Sequence, residues 1–490
     1  MPGPAASVSL GRLCAGADGP PVWYDTAQNA LLAVDPVLGA ALPLFGRDND
    51  AELMARLAGE LPGADVRRAL AEIRRARADE GLFALAGPPA ALADLDALVR
   101  DAQTKLSHLV LGLSERCNLR CLYCPQDHEA GNVMSEATAR QAWAFFASHS
   151  VGASRRTVSF HGGEPLLHFP VVEAVARTAR AAPGGRQVRL CLDTNATLLD
   201  EAKVRVIAEL GLELQVSLDG PAHLHDRWRR DARGGPTHAS VMAGLRRLLA
   251  VDPGAARRLR FVATVGPPFA FAEVAAWFDD FPLYRELGIG ITPVVRLNTA
   301  NLAGTRAAQR CEPRALPLLW LAGRNEARGQ YAAAMAAGRR RDLPRALADL
   351  WDDGLVRWHH RRRGPEPGPG FPTGSCRPGL RRLFVAPDGT LRPCERVGPG
   401  QAIGDLDQGI DPSALRRLHE DLLAALGDRC RTCWARRLCR ACFTALVATG
   451  GAAESCRAAQ AQAADLLDLQ VSLQQHHPDA LAFVAGSRLE

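Results

Sequence analysis

The chain has 490 residues, of which 47% are hydrophobic and 23% charged, and its formal net charge is +6. This length predicts roughly two to four domains, because a single core stops growing at about 250–300 residues. The small net charge argues against a nucleic-acid partner. No run of about 18 apolar residues predicts a membrane span, and no basic segment followed by an apolar one opens the chain. We therefore expect a cytoplasmic protein without a secretory signal.

The cysteine content points to metal ligation. Thirteen cysteines in a cytoplasmic chain are hard to explain as disulfides, because the cytosol keeps thiols reduced. Ten of them fall into two groups, one at residues 117–124 and the other at residues 376–456. The remaining three are interpreted as small buried apolar side chains: Cys14, Cys191 and Cys311.

The first hundred residues predict a small α+β unit. Residues 21–35 have the pattern of two short strands around a turn at residues 26–29. Further on, Val66, Leu70 and Ile73 keep the spacing of three and four that is typical of a helix, and Gly81 ends it.

Residues 106–295 predict an α/β fold. Strands are expected at 106–113, 157–160, 188–193, 213–218, 259–265 and 289–295, with helical patterns between most of them. Strand followed by helix, repeated about six times, indicates a parallel sheet, either open or closed into a barrel. Reactive groups in such folds gather at the carboxyl ends of the strands. The segment CNLRCLYC, residues 117–124, follows the first strand.

The rest of the chain divides into three parts. Residues 301–360 have helical patterns, and the Pro/Gly-rich residues 361–374 predict a linker. Beyond them lie seven cysteines, a helical pattern and an irregular tail.

The loop CNLRCLYC contains Cys117, Cys121 and Cys124, one ligand fewer than a closed metal site requires. Three thiolates can hold three irons of a four-iron cluster and leave the fourth iron open to another ligand. A zinc site completed by His128 is the alternative.

This spacing, with Tyr123 before the last cysteine, resembles the signature of the radical S-adenosylmethionine enzymes. Further motifs follow successive strands: GGEP at 162–165, DTNATLL at 193–199, SLDG at 217–220 and HDRWR at 225–229. The resemblance implies a partial (β/α)6 TIM-like barrel with S-adenosylmethionine bound to a 4Fe-4S cluster. Its reductive cleavage would produce a 5′-deoxyadenosyl radical that abstracts hydrogen from an unactivated carbon.

The same resemblance implies the residues that hold S-adenosylmethionine. They are Gly162, Gly163, Glu164, Pro165, Asn195, Ser217 and Arg229, with Asp219 a further candidate. Arg229 suits a carboxylate, because a guanidinium group can meet one with two parallel hydrogen bonds. Asp231 is our candidate for a catalytic base, and a solvated acid is the alternative reading of that residue.

The distal cysteines resemble the seven-cysteine SPASM domain, which carries auxiliary clusters. The resemblance implies two 4Fe-4S clusters, one on Cys376, Cys394 and Cys442 and the other on Cys430, Cys433, Cys439 and Cys456. Cys439 and Cys442 are separated by two residues where the family usually has three, so the first cluster would have an open iron or a further ligand. Structural zinc is the alternative.

The first hundred residues resemble the PqqD-like domains of peptide maturases, which bind a leader as an added strand. A structural extension of the catalytic domain is the alternative. The expected order is thus a winged-helix-like peptide-recognition domain (1–100), a radical S-adenosylmethionine core (104–300), a helical region with linker (301–374), a SPASM domain (375–470) and a tail (471–490).

These resemblances imply a maturase that abstracts hydrogen from a polypeptide and installs thioether cross-links from cysteine sulfur to carbon. Carbon-carbon cross-links and formylglycine formation in a sulfatase are the alternatives within this class. A binding protein with purely structural clusters, or an electron carrier, is the alternative outside it. The expected partners are a polypeptide with a leader and an external electron donor of the flavodoxin or ferredoxin type, with no nucleic acid and no membrane.

Overall fold

The structure is a computed structural model that describes residues 11–14, 19–46, 48–87, 95–124, 131–299, 316–366, 376–447 and 451–487. The strands are β1 (Gly11–Cys14), β2 (Val22–Asp25), β3 (Ala30–Ala33), β4 (His108–Gly112), β5 (Thr157–His161), β6 (Arg189–Thr194), β7 (Glu213–Ser217), β8 (Leu259–Val265), β9 (Val294–Thr299), β10 (Arg382–Val385), β11 (Thr390–Arg392), β12 (Gly404–Asp405) and β13 (Gly409–Ile410).

The α-helices are α1 (Pro36–Ala41), α2 (Asp50–Leu57), α3 (Gly63–Asp79), α4 (Leu95–Thr104), α5 (Glu136–His149), α6 (Phe169–Ala181), α7 (Glu201–Leu210), α8 (Ala222–Trp228), α9 (His238–Val251), α10 (Phe271–Asp279), α11 (Pro282–Glu286), α12 (Leu316–Ala336), α13 (Arg345–His359), α14 (Pro412–Leu426), α15 (Phe443–Val447), α16 (Gly451–His476) and α17 (Ala482–Gly486). None of the helices in the described ranges combines the length and the apolar character that a membrane crossing requires.

The N-terminal unit is a three-stranded antiparallel sheet, β1-β2-β3, that shares an apolar core with α1, α2 and α3. The predicted strand pair and its turn correspond to β2 and β3. The predicted helix is α3, and it ends before Gly81, which has φ +67° as helix-terminating glycines do. β1 was not predicted, because a segment of four residues is too short to show a period.

The central sheet has ten strands in the order β13-β12-β11-β10-β4-β5-β6-β7-β8-β9. Strands β4 to β9 are parallel, and each pairs with the next one along the chain. The predicted α/β class is therefore confirmed. The prediction for the last parallel strand was displaced: β9 begins at Val294, since Pro293 has no N–H to donate to the ladder.

The sheet also contains strands from the distal cysteine-rich segment. β10 pairs in parallel with β4, and β11, β12 and β13 follow in antiparallel order. The sequence analysis did not predict these strands, which have only two to four residues each. The distal segment therefore continues the same sheet instead of forming a separate one.

The two faces of the parallel sheet differ. Leu109, Val158, Leu190 and Phe261 belong to a core cluster that also includes residues of the covering helices. Successive side chains of a strand point to opposite faces. The other face, here called the open face, therefore carries polar side chains: His108, Ser159, His161, Arg189, Cys191, Asp193, Glu213, Gln215, Arg260 and Arg296.

The N-terminal unit docks on the C-terminal half of the chain. Arg12 donates from Nη1 and Nη2 to the two carboxylate oxygens of Asp468 on α16, at 2.6 and 2.8 Å. The Tyr24 ring meets Trp358 and Trp434 edge-on, with centroids 5.8 and 6.4 Å apart. Thr26 Oγ1 donates to the carbonyl of Trp434 at 2.5 Å. The docked surface includes Trp434, a residue of the loop that carries Cys430, Cys433 and Cys439.

Arg437, on the same cysteine-bearing loop as Trp434, also binds the N-terminal unit. Its Nη1 donates to the carbonyls of Ala27 and Gly364, at 3.0 and 2.6 Å, and its Nη2 donates to the carbonyl of Arg362 at 3.0 Å. One guanidinium group thus joins the β2–β3 turn to two carbonyls of the segment that follows α13.

Candidate functional site

The loop with Cys117, Cys121 and Cys124 leaves the carboxyl end of β4 and is held by backbone pairing. Arg120 N donates to the carbonyl of Arg230 at 2.7 Å, and Leu122 N donates to the carbonyl of Trp228 at 2.8 Å. The segment that follows α8 therefore runs beside the cysteine loop as a short antiparallel partner. This long-range pairing fixes the loop against the end of β7.

The three thiols are free and partly buried. Burial raises the pKa of Cys117 to about 11, and the nearby Cys121 and Cys124 contribute to the rise. Burial also raises the pKa of Cys121, whereas the positive charge of Arg229 lowers it. Because the thiolate is the ligand form, a metal centre bound here would displace the protons that burial retains on these sulfurs.

The three thiols differ from the donor set of a single-metal site. Among the described residues, no three His, Cys, Asp or Glu side chains are grouped around the position of a single metal ion. In a 4Fe-4S cluster each thiolate binds a separate iron, so the sulfurs do not converge on one ion. Three soft thiolates in one loop are compatible with such a cluster.

The segment Gly162–Pro165 lies directly against the cysteine loop. Gly163 N donates to the carbonyl of Ser114 at 2.7 Å, and Glu164 N donates to the carbonyl of Arg116 at 2.9 Å. A Cβ atom on Gly163 would lie 2.2 Å from the Arg116 carbonyl oxygen, and one on Gly162, at φ +142°, would lie 2.4 Å from that of Ser114. Only glycine allows this close backbone approach.

Glu164 connects this segment to the end of β6. Its carboxylate accepts from Leu166 N at 2.9 Å, from Thr194 Oγ1 at 2.8 Å and from Asn195 N at 2.8 Å. Burial raises the pKa of Glu164 to about 7, while these donors act in the opposite direction. Pro165 is buried and begins the 3-10 turn Pro165–His168, for which Glu164 is the cap. The side chain of Glu164 therefore has a positioning role.

Asn195 bridges the end of β6 and the cysteine loop. Its Nδ2 donates to Asn118 Oδ1 at 2.9 Å and approaches Cys117 Sγ at 3.9 Å. Asn118 Nδ2 in turn donates to Thr197 Oγ1 at 2.8 Å. The sequence analysis missed Asn118 and Thr197, although both lie inside the motifs. Ser217 is half-buried at the end of β7.

Asp219 is the centre of a buried ionic group. Its Oδ2 accepts from Tyr123 Oη at 2.5 Å and from Arg229 Nε at 2.9 Å, and its Oδ1 accepts from Thr264 N at 2.8 Å. Arg229 also lies over the Tyr123 ring, 5.4 Å from its centroid, and its Nη1 approaches Cys121 Sγ at 3.9 Å. The predicted residues Asp219 and Arg229 are thus paired with each other.

A buried histidine holds the backbone near Arg229. Asp219 N donates to His225 Nδ1 at 3.2 Å, so Nδ1 is unprotonated and Nε2 carries the hydrogen for Thr237 Oγ1 at 3.0 Å. Thr237 Oγ1 then donates to the carbonyl of Arg229 at 3.0 Å. The sequence analysis did not single out His225, although it opens the HDRWR motif.

Asp231 stabilises its own turn. Its Oδ1 accepts from Arg233 N at 2.8 Å and from Gly235 N at 2.7 Å. Its backbone forms an isolated bridge with Leu119 of the cysteine loop. A role for Asp231 as a base therefore stays a prediction.

The distal cysteines form two groups in space. Cys442 lies within electrostatic range of Cys376 and Cys394, and burial raises the pKa of Cys394 to about 11, against a backbone hydrogen bond at Arg396 that lowers it. The neighbours of Cys430 are Cys433, Cys439 and Cys456, and its pKa is raised to about 12, mainly by burial. The structure thus brings together the same two sets that the sequence analysis assigned to separate clusters, and ligation by them stays a prediction.

The scattered cysteines have different surroundings. Cys14 is buried, as expected of a small apolar residue, whereas Cys191 is only partly buried and lies on the open face. Cys311 lies outside the described residues, as does His128.

Residues 111–254 match the family model of the Radical SAM superfamily. Over 142 residues the chain is 35% identical to the serine-type anaerobic sulfatase-maturating enzyme of Klebsiella aerogenes, an alignment that covers 28% of this chain and 35% of that enzyme. It is 30% identical, also over 142 residues, to the GTP 3′,8-cyclase of Caulobacter vibrioides, with coverage of 29% of this chain and 39% of that enzyme.

The chain is also 29% identical over 140 residues to an uncharacterized protein of Methanocaldococcus jannaschii, covering 29% of this chain and 48% of that protein. The chain thus spans about a third to a half of the length of the curated relatives described. Among solved structures, the fold is similar to that of native anSMEcpe with bound AdoMet and Cp18Cys peptide, with a TM-score of 0.53 and 17% identity over 78% of this chain and 100% of that one.

Proposed function

We propose, from the radical SAM domain that residues 111–254 form, that the chain is an enzyme that cleaves S-adenosylmethionine reductively and abstracts hydrogen from a polypeptide. The observation that carries the proposal is the contact of Gly163 with Ser114, where a glycine segment meets the cysteine loop without space for a side chain. This close backbone contact brings the cysteine loop and the ends of the neighbouring strands together at one site.

The residues of this site have separate roles in the proposal. Cys117, Cys121 and Cys124 would hold a 4Fe-4S cluster. The residues that would hold S-adenosylmethionine are Gly162, Gly163, Glu164, Pro165, Asn195, Ser217 and Arg229. Together these groups supply one-electron chemistry that can remove hydrogen from an unactivated carbon. The buried carboxylate of Asp219 and the half-buried side chain of Tyr123 orient the loop.

A polypeptide is the proposed substrate. Two observations support this choice: the 35% identity to a sulfatase-maturating enzyme, over the matched segment, and the N-terminal unit with its small antiparallel sheet. A sheet edge can bind an extended peptide through main-chain hydrogen bonds. The N-terminal unit would hold the leader, and its docking on the loop of Cys430 to Cys439 would keep the leader close to the catalytic part of the chain.

The proposed product is a thioether between a cysteine sulfur and a carbon of the same polypeptide. The length and the domain order of the chain are similar to those of the maturase that acts on the small subunit of a quinohemoprotein amine dehydrogenase. That subunit is therefore the first specific substrate to try. Two auxiliary 4Fe-4S clusters on the distal cysteine groups and an external flavodoxin or ferredoxin would move electrons, and Asp231 is one candidate base.

The first experiment asks whether S-adenosylmethionine is cleaved. The protein is purified and reconstituted with iron and sulfide without oxygen, dithionite is added, and 5′-deoxyadenosine is measured by mass spectrometry. We expect 5′-deoxyadenosine from the wild type and from Cys14→Ala, and loss of it in Cys121→Ala. Its formation by Cys121→Ala, or its absence from iron-loaded wild type, would overturn the proposal.

The second experiment identifies the class of product. The wild type is incubated with a pool of synthetic cysteine-bearing peptides and with the quinohemoprotein small subunit, and modified species are found by their mass. A thioether retains the sulfur and loses hydrogen, whereas formylglycine made from cysteine loses the sulfur. Loss of the sulfur would overturn the thioether and indicate formylglycine formation. That activity is our second candidate, because of the similarity to the Klebsiella enzyme.

A further inference from the structure

A histidine and an aspartate meet on the open face at the carboxyl ends of two neighbouring strands. His161 Nδ1 and Asp193 Oδ2 are 3.1 Å apart, and their side chains are 30% and 29% exposed. His161 is the last residue of β5 and Asp193 lies near the end of β6. Neither residue was a candidate in the sequence analysis.

The partner of His161 determines which ring nitrogen is free. An ionised carboxylate can only accept a hydrogen bond, so Nδ1 must carry the hydrogen that faces Asp193. In the neutral ring Nε2 then holds a lone pair, and Nε2 forms no hydrogen bond within the described residues. This arrangement, with an acid that orients a histidine and supports its positive form, is that of a general base.

The position of the pair connects it to the site already described. His161 immediately precedes Gly162, whose segment contacts the cysteine loop, and its carbonyl accepts from Leu113 N at 2.8 Å. Asp193 immediately precedes Thr194 and Asn195, which hold Glu164. Because partly exposed ion pairs contribute little to stability, holding the fold together does not account for this pair.

We propose that His161, positioned by Asp193, removes the proton from the thiol of the polypeptide substrate. In this step the substrate S–H bond breaks, the proton passes to His161 Nε2, and the electron pair stays on the sulfur as a thiolate. No electron is exchanged in the step. The inference rests on the proposed polypeptide substrate and adds a base that is distinct from Asp231.

Other charged and titratable groups lie on the same face. Arg260 on β8 is level with Asp193, with Gln215 of β7 between them, and Cys191 on β6 and Glu213 on β7 lie one step further from the strand ends. His108 and Arg189 lie four residues away along β4 and β6, and Arg189 is paired with Glu213. Glu164 is close enough to Asp193 for its pKa to be affected, and Arg116 lies on the cysteine loop next to Glu164. Asp193 is the one that forms a hydrogen bond with His161.

The test compares His161→Gln and Asp193→Asn with His108→Gln. His108 is a suitable control because it lies on the same face, and its Nε2 is bonded to Ser159 Oγ at 2.8 Å. A peptide from the synthetic pool that the wild type modifies serves as the probe. We expect His161→Gln to lower the amount of modified peptide per 5′-deoxyadenosine about 100-fold. We also expect it to remove the acid limb of the pH profile, while His108→Gln matches the wild type.

A measurement without substrate keeps the test independent of turnover. Diethyl pyrocarbonate reacts with an unprotonated imidazole nitrogen, and the rate at His161 can be followed by mass spectrometry of peptides. At a pH well above the ordinary histidine value of about 6.5, where the ring is unprotonated in every variant, we expect the rate to fall severalfold in Asp193→Asn, because Nε2 loses the electron density that the carboxylate partner supplies, and to stay unchanged in His108→Gln. An unchanged rate in Asp193→Asn, or an unchanged product ratio and pH profile in His161→Gln, overturns the inference. Absence of 5′-deoxyadenosine from wild type instead overturns the proposed function.

Discussion

Tyr123 and Asp219 are joined by a hydrogen bond of 2.5 Å between the cysteine loop and the end of β7. The two residues are 96 positions apart in the chain; Asp219 is buried and Tyr123 is half-buried. Because Asp219 also accepts from Arg229 and Thr264, one carboxylate holds together the loop, the segment after α8 and the end of β8. The shape of the loop therefore depends on a charge that the loop itself does not contain.

Removing that carboxylate should be costly. In Asp219→Ala the buried Arg229 would be left without a counter-ion, and we expect the free energy of unfolding to fall by about 3–5 kcal/mol. Tyr123→Phe removes a single hydrogen bond to a charged group and should cost about 1.5–3 kcal/mol. Urea unfolding under anaerobic conditions measures both. Equal losses in the two variants would contradict the central role of Asp219.

The close contact at Gly163 predicts a steric effect. A methyl group there would meet the Arg116 carbonyl, so Gly163→Ala should lower the free energy of unfolding by about 1–3 kcal/mol and reduce the iron retained by the cysteine loop. Gly290→Ala is the control, because a Cβ atom at that position would contact nothing within 4 Å. The readouts are urea unfolding and iron content after reconstitution. Iron content equal to that of the control variant would show that the loop can move away.

The buried His225 predicts a loss of stability in acid. Burial and the Arg229 charge lower the pKa of His225 to about 3, whereas a histidine in the unfolded chain titrates near about 6.5. Below pH 6.5 the His225 ring takes up a proton in the unfolded chain but stays neutral in the folded protein. The stabilising contribution of the neutral ring is therefore complete above that pH and decreases toward pH 3, by about 1.4 kcal/mol per pH unit.

His225→Gln keeps one donor and one acceptor but does not titrate, so its stability should change less between pH 7 and pH 5 than that of the wild type. His359→Gln, a substitution of an exposed histidine on α13, is the control. Urea unfolding at several pH values provides the comparison. A slope in His225→Gln as steep as that of the wild type would assign the acid sensitivity to other groups.

The docking of the N-terminal unit predicts a local effect of Arg437. Arg437→Ala removes the donors to the carbonyls of Ala27, Gly364 and Arg362, so the β2–β3 turn should exchange its amide hydrogens more rapidly. Hydrogen exchange with mass spectrometry measures this. Arg440→Ala is the control, because the bonded partner of Arg440 is Asp353, outside the N-terminal unit. Unchanged exchange in residues 22–33 would show that the aromatic contacts of Tyr24 suffice.

Local patterns were enough to predict some of these features. The strands from β4 to β8 are short apolar segments between helical patterns, and their positions followed from that alternation. β10 to β13 were missed, since strands of two to four residues have no period to detect and are formed by pairing with β4 and with one another.

Some residues of the site could also be predicted from local patterns, and others could not. Cys117, Gly163 and Arg229 could be chosen from motif spacing, because each motif is local. The pairs Tyr123 with Asp219 and His161 with Asp193 join residues from different motifs, and only the packing of the strand ends brings them together. Asp231 was chosen as an acid in a suitable loop, and its bonds to Arg233 and Gly235 could not be foreseen from its type.

The Arg437 contact has a consequence for how relatives of this chain would be compared. All three of its acceptors are main-chain carbonyls, which every amino acid possesses, so residues 27 and 362 are free to vary without loss of the bonds, whereas Gly364, at φ +85°, is restricted by its backbone conformation. Substitution patterns at positions 27 and 362 would carry no trace of the interaction. An arginine retained opposite two variable positions and a glycine would be the signature by which the same docking could be recognised elsewhere.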